Sequence, residues 1–206
     1  MKIKTYVQGA FSTNCYLLYD TASSQAIVID PAEEDLELMQ FICEMHLSLN
    51  MILLTHGHID HISGAVDLQR QFQARIGMHQ ADEFLLEAAP EMARLFGLPE
   101  PEVPEPDFFF RDEQRLECGA ATLKVIHTPG HSPGGVSFVF DEFVFAGDAL
   151  FAGSIGRTDL PGGNYQKLIQ SIKHRLLILD EKLVVYPGHG PETTICIEKL
   201  TNPYLL

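Results

Sequence analysis

The sequence predicts an α/β fold. Short apolar and β-branched runs alternate with stretches of helical period along the whole chain. Two of the runs, residues 51–54 and 183–186, are continuously apolar and of strand length, as suits strands buried on both faces. Each leads into histidine. Thr55-His56-Gly57-His58-Ile59-Asp60-His61 follows the first, and Pro187-Gly188-His189-Gly190 follows the second.

At the N-terminus, residues 3–7, 16–19 and 26–29 read as strands separated by Gly9, Asn14 and the polar 20–24 segment. Asp30-Pro31 ends the third. Pro31 suits the start of a helix, and Glu33, Glu34 and Asp35 suit its positive end. Leu38, Phe41, Ile42 and Met45 give that helix one apolar face. After the 51–54 strand, Ala65, Leu68 and Phe72 keep helical spacing, and 74–78 returns to strand. Residues 81–96 predict a helix broken at Pro90. From 98 to 107, Pro99, Pro101, Pro104 and Pro106 alternate with acids, which excludes a helix or central strand and predicts an exposed acidic connector.

The second half opens with strands at 121–126, 135–140 and 143–146. Tyr165, Leu168, Ile169, Ile172 and Leu176 mark an amphipathic helix. The 183–186 strand follows, then a last helix over about 193–200, ended by Asn202-Pro203. Both halves thus run strands, helix, then a buried strand ending at histidine. The architecture repeats without a clear repeat of sequence.

Composition narrows the function classes. With 206 residues, 46% of them hydrophobic, the chain can bury a sizeable core, and one domain over residues 1–206 is expected. No apolar run approaches membrane-spanning length, and the first residues lack a signal-peptide layout, so a cytoplasmic protein is expected. A formal charge of −14 repels polyanions, which sets aside nucleic acid and anionic membranes as partners. Cys15, Cys43, Cys118 and Cys196 are far apart and read as small buried hydrophobes in a reducing compartment.

The chemistry is concentrated at residues 55–61. His56 and His58, two apart after a strand, point to one side and can grip one cation. Asp60 and His61 come as the chain turns into the next helix and can face a second. Three histidines and an aspartate so close together have no stabilising role without a metal. Further ligands are expected from loops at the same end of the sheet. His131 in Gly130-His131, Asp148 in Gly147-Asp148 and His189 in Gly188-His189 each sit beside a glycine that lets the backbone approach a metal. Seven ligands suit two metals bridged by a carboxylate. With His and Asp donors and no thiolate, the set suits two divalent ions, zinc first, with iron or manganese also accommodated. Of the other histidines, His46 and His174 read as exposed on helices, His79 follows a strand, and His127 reads as structural, with support of the 128–131 loop as its other role.

These motifs at these spacings resemble the metallo-β-lactamase superfamily, and within it the short bacterial glyoxalase II (hydroxyacylglutathione hydrolase)-like proteins. The likeness spans essentially the whole chain. The resemblance implies a four-layer αββα sandwich, two mixed β-sheets flanked by helices, with the metals at one end. It implies that His56, His58 and His131 hold the first metal, that Asp60, His61 and His189 hold the second, and that Asp148 bridges them. It implies too that Asp30 supports the metal loop from behind. Two features depart from the longer glyoxalase II type. The C-terminal helical domain with basic residues for glutathione is missing. The loop after the bridging aspartate reads Gly156-Arg157-Thr158-Asp159, where the family offers Gly-Lys-Phe and an aromatic. Arg157 keeps a cation there, for a substrate carboxylate or for a salt bridge within the loop.

The expected reaction is hydrolysis of a small-molecule thioester, S-2-hydroxyacylglutathione or a relative, to acid and thiol. Two cations would make a shared water acidic, with Asp60 orienting the attacking oxygen. The motifs offer no evident general acid, which favours a thiolate leaving group over an amide nitrogen. No G-x-S-x-G nucleophile motif is present. The alternatives are a mononuclear iron persulfide dioxygenase using His56, His131 and Asp148, and another hydrolase of the fold such as a lactonase.

Overall fold

The computed structural model describes residues 1–206. In the first half the elements are β1 (Lys2–Gln8), β2 (Thr13–Tyr19), β3 (Gln25–Ile29), α1 (Leu36–Glu44), β4 (Ser48–Leu53), α2 (Ile59–Ile62), α3 (Ala65–Phe72), β5 (Arg75–Met78), α4 (Glu83–Phe96) and β6 (Phe108–Phe109). The second half holds β7 (Arg115–Cys118), β8 (Ala121–His127), β9 (Val136–Val139), β10 (Phe143–Gly147), β11 (Leu150–Phe151), β12 (Ser154–Ile155), α5 (Tyr165–Ser171), β13 (Val184–Pro187), β14 (Thr193–Thr194) and α6 (Ile195–Thr201).

Strand β2 is buried along its whole length because its two faces meet different cores. Cys15, Leu17 and Tyr19 pack with Leu38 and Ile42 of α1, Ala65 and Leu68 of α3, and Leu86 and Ala89 of α4. Tyr16 and Leu18 face the other way, onto Leu123, Val125, Phe138 and Phe145 of the second sheet. That sheet in turn buries Val144 and Val185 under Leu168 of α5, Ile172, Leu176 and Ile195 of α6. Three apolar interfaces make four layers, helices, sheet, sheet, helices, the metallo-β-lactamase fold that the resemblance implies. The two-faced burial explains why these strands read as continuous apolar runs rather than as alternation.

Both sheets are six-stranded and mixed, ordered β1-β2-β3-β4-β5-β6 and β14-β13-β10-β9-β8-β7. β1 to β3 pair antiparallel and β3 to β6 parallel. In the second sheet β10 and β13 pair parallel, across α5, as β3 and β4 do across α1. This is the repeated architecture in three dimensions. Because β8 is antiparallel to β9 and β9 to β10, the strands β8, β10 and β13 all end at one edge. The ligand loops leave from that edge.

Several local expectations are corrected. α1 starts at Leu36, not at Pro31; Asp35 caps it by accepting from the Leu38 N–H at 3.0 Å. The Pro31 carbonyl instead accepts from the Gly64 N–H, tying the start of α3 to the end of β3. α4 runs through Pro90 unbroken. Proline removes only the bond to the Leu86 carbonyl, and burial of Leu85, Leu86, Ala89 and Ala93 on either side outweighs it. The 98–107 connector is irregular as expected but not free. Asp107 accepts from the Ile76 N–H at 2.7 Å, Arg70 pairs with Glu102, and the chain then adds edge strand β6. The long second-half helix ends as α-helix at Ser171 and widens into a π-turn over Ile172–Leu176, with Tyr165 half-exposed. Cys43 is exposed, unlike buried Cys15 and Cys118. His46 lies beyond the end of α1 with φ of 51°. No helix is long and apolar enough to cross a membrane.

Candidate metal centre

The two sheets are laced together at the edge where the loops leave. The Asn14 amide donates to the carbonyls of Pro187 and Gly190 at 3.0 and 2.8 Å. The buried Tyr16 hydroxyl also donates to Pro187 O, at 2.6 Å. Between the halves, the Asn14 N–H reaches Gly188 O and the Val136 N–H reaches Thr55 O. Each sheet therefore fixes the loop of the other. Two glycines are obligatory here. Gly147 has φ of +51°, and a Cβ on it would sit 2.6 Å from Thr55 Oγ1. A Cβ at Gly188 would overlap the Asp148 carboxylate.

All seven histidines and aspartates singled out in the sequence meet at this edge. His131 Nε2 lies 3.2 Å from His56 Nε2 and 2.8 Å from His58 Nδ1. His61 Nε2 and His189 Nε2 are 3.3 Å apart, and Asp60 Oδ2 is 3.7 Å from the first and 3.3 Å from the second. Asp148 lies between the two groups. Its Oδ2 is 3.5 Å from His131 Nε2, and its Oδ1 is 3.5 Å from His61 Nε2.

These distances fit metals. Four donors about 2.0–2.1 Å from a zinc-sized ion in a tetrahedron stand about 3.3–3.4 Å from one another. In four of the five rings the other nitrogen is engaged, which turns the facing nitrogen's lone pair inward; the exception is His58, whose buried Nε2 has no partner. His131 Nδ1–H donates to Arg157 O at 2.7 Å, and His189 Nδ1–H to Phe11 O at 3.1 Å. His61 Nδ1–H donates to Asp30 Oδ2 at 2.9 Å. His56 Nδ1–H donates to the Thr55 hydroxyl at 3.0 Å, which itself donates to Asp30 at 2.6 Å. Each partner fixes a tautomer that leaves Nε2 bare. Buried Asp148 Oδ1 has no hydrogen-bond donor at all, the signature of a carboxylate placed for a cation.

The electrostatics agree. Burial, reinforced by neighbouring rings, pushes His56 far below the ordinary imidazole range and takes His58 down to about 3. Burial opposes charge on His61 too, but Asp60, Asp148 and Asp30 outweigh it and raise that ring to about 10. Burial would raise Asp60, yet His61 and His189 hold it below the usual carboxylate range. His56 and His58 are thereby neutral donors, and the anionic surroundings of His61 and His189 favour a positive charge that a divalent ion would supply in place of protons.

Asp30 sits where the resemblance puts it, behind the loop. It is fully buried and accepts from the Thr55 N–H at 2.7 Å as well as from Thr55 Oγ1 and His61. Its φ of +51° is a conformation that aspartate tolerates better than most residues. The Arg157 side chain is exposed and forms a two-pronged pair with Asp159, at 2.7 and 2.8 Å. His127 contacts no ligand. It stacks on His79 with ring centres 4.3 Å apart and donates to Pro133 O.

One buried acid at the site carries no sequence signal. Asp82, just before α4, accepts from the Gly57 N–H at 3.1 Å, the Ser132 hydroxyl at 2.7 Å and the Gly134 N–H at 2.5 Å. It pins the 56–58 and 131–134 loops to each other. Asp82→Ala leaves those donors unpaired and is expected to cost about 2–4 kcal/mol of stability. Metal affinity is expected to fall roughly 10–100-fold. Thermal melts and metal titration check both, and an unchanged melt and affinity would contradict the role.

Five of the seven donors, His58, Asp60, His131, Asp148 and His189, line a cleft of about 470 Å³. Phe84, Leu85, Ala88 and Met92 of α4 form one wall, and Phe151, Ile155, Leu160 and Pro161 form another.

Fold and site together define a metal-dependent hydrolase with two His/Asp sites, and the chain belongs to the metallo-β-lactamase superfamily, whose pattern matches residues 8–189. Among its relatives, hydroxyacylglutathione hydrolase GloC of Haemophilus influenzae is 43% identical across 100% of this chain and 98% of its own. Two solved structures are similar throughout. BLEG-1 B3 metallo-β-lactamase superposes with a TM-score of 0.91 at 37% identity, covering 99% of each chain. TTHA1623 in a di-iron-bound form superposes with a TM-score of 0.87 at 39% identity, covering 98% of this chain and 100% of that one.

Proposed function

We propose that this protein is a two-metal thioesterase of glyoxalase II type, cleaving a small-molecule thioester with water to an acid and a thiol. The observation that carries the reading is the combination of two adjoining His/Asp sites with a cleft whose other polar lining is Ser154 and Arg157, neither acidic enough to protonate a basic leaving group. No Lys, Tyr or Glu lines it. A thiol is far more acidic than an amine, so a thiolate departs without one. Full-length similarity to a hydroxyacylglutathione hydrolase supports the same class.

His56, His58 and His131 would hold one cation, Asp60, His61 and His189 the other, and Asp148 would serve both. Bound there, two divalent ions supply an acidic water and positive charge for a carbonyl oxygen. Zinc suits the donors, and iron or manganese does too. Asp60, anionic and on the cleft floor, accepts a hydrogen bond from the attacking oxygen and orients it. Asp30 and the carbonyls of Arg157 and Phe11 hold the rings in place, so that little reorganisation accompanies the reaction. Arg157 is the one cation of the cleft besides the histidines, and its guanidinium is held by Asp159.

A panel of S-lactoylglutathione, acetyl thioesters, a lactone and a β-lactam, run on metal-replete protein, tests the reading. Thioesters are expected to give the highest kcat/KM, with turnover lost on chelation and regained with metal. Faster cleavage of the lactone or β-lactam, or oxygen consumption on glutathione persulfide in place of hydrolysis, would replace it.

A further inference from the structure

The face that α4 turns toward the metals has a periodicity of its own. Phe84, Ala88, Met92 and Phe96 recur every four residues and form one stripe along the helix. It adjoins the core face, where Leu85, Leu86, Ala89 and Ala93 are buried, and Leu85 and Ala89 reach both the core side and the cleft. Phe84 and Phe96 remain about 40% exposed, although both are large and apolar. Phe11, from the turn between β1 and β2, packs edge-on against Phe96 with ring centres 5.4 Å apart and closes that end of the cleft. Phe151 and Ile155, from the short hairpin after Asp148, face the stripe across the cleft. Ala88, the small residue of the stripe, lies between Phe84 and Met92 in the cleft lining.

The charges of the cleft point the same way. Apart from histidines, its one cation is Arg157, and that guanidinium already holds Asp159 by two hydrogen bonds. A carboxylate arriving there meets the Asp159 charge. The other charged groups of the lining, Asp60 and Asp148, belong to the metal sites. A ligand with several ionic groups finds no matched partners along the walls, whereas an uncharged alkyl or aryl arm finds aromatic and aliphatic surface on both sides.

We infer, resting on the thioesterase reading, that the preferred substrates are thioesters with an apolar, uncharged arm lying along the Phe84–Ala88–Met92–Phe96 stripe, rather than thioesters whose arms carry carboxylates. Selectivity then comes from burial of hydrocarbon. Each methylene that enters the cleft raises kcat/KM roughly fourfold, the equivalent of about 0.8 kcal/mol, until the cleft is filled.

Two substrate series test this on metal-replete protein. In one the acyl chain is lengthened from acetyl to octanoyl on the neutral thiol N-acetylcysteamine. In the other the thiol chain of S-alkyl thioacetates is lengthened from ethyl to octyl. S-Lactoylglutathione is the reference. At least one series is expected to rise with chain length and to exceed the reference by tenfold or more. Ala88→Glu and Met92→Glu, which place a carboxylate in the stripe, are expected to flatten that rise, with folding checked by circular dichroism. Calorimetry with the unreactive thioether S-octyl-N-acetylcysteamine reads binding without turnover, and a negative heat-capacity change is expected. Binding of the thioether with no hydrolysis of any thioester would sustain the apolar cleft and remove the thioesterase reading. Hydrolysis of S-lactoylglutathione above every member of both series, with no thioether binding, would overturn the inference and leave that reading intact.

Discussion

Asp148→Asn is expected to lower kcat/KM by roughly 1000-fold or more, the equivalent of about 4 kcal/mol, without unfolding the protein. Asparagine keeps the shape of the side chain but loses the charge and exchanges one oxygen for an NH2 group that cannot ligate. Asp148 has one oxygen 3.5 Å from a nitrogen of the first ligand group and the other 3.5 Å from a nitrogen of the second. Oδ1 makes no hydrogen bond within the chain, so its loss breaks nothing in the fold. Total metal is expected to fall from two per chain to one or fewer, with far-UV circular dichroism unchanged. A variant that retained two metals and wild-type turnover would remove Asp148 from its proposed role.

Asp30→Ala is expected to cost about 3–5 kcal/mol of stability, the penalty of breaking a buried charged network. Three donors, the Thr55 N–H, the Thr55 hydroxyl and His61 Nδ1–H, converge on this carboxylate. Alanine leaves them unpaired out of reach of water. It also occupies the left-handed backbone conformation less readily than aspartate does. The His61 ring loses the partner that sets its tautomer, so affinity for the second metal is expected to drop roughly 10–100-fold. The melting temperature and a metal titration read the two effects separately. Wild-type values for both would show that Asp30 is not the support of the loop.

Most of the fold and the seven histidines and aspartates that meet at the site were legible in the sequence, for physical reasons. Strands covered on both faces leave unbroken apolar runs, and the 51–54 and 183–186 runs marked β4 and β13, although β13 alternates buried Val185 with half-buried Val184 and Tyr186. Histidines just after a buried strand have little use but metal, so the 55–61 cluster was informative by itself. His131, Asp148 and His189 became recognisable only in its company, since a Gly-His or Gly-Asp pair serves many turns. The misses follow from interactions that leave no local pattern. Pro90 reads as a helix break unless the burial on either side of it is known. Pro31 has the composition of a helix start, but Asp35 supplies the cap. Asp82 and Asn14 gain their roles from partners 25 to 176 residues away, which no window of sequence displays. The cleft stripe on α4 was written in the sequence as a second apolar face, and it takes the position of the metal donors to show that this face is not core.

Stepwise addition of zinc to metal-stripped protein, with thioester hydrolysis read at each ratio, tests the central claim most directly. The two adjoining donor groups sharing Asp148 predict activity that climbs to a plateau at two metal ions per chain and vanishes on chelation. Full hydrolytic activity in the stripped protein, or a plateau at one ion per chain with the second leaving the rate unchanged, would contradict it.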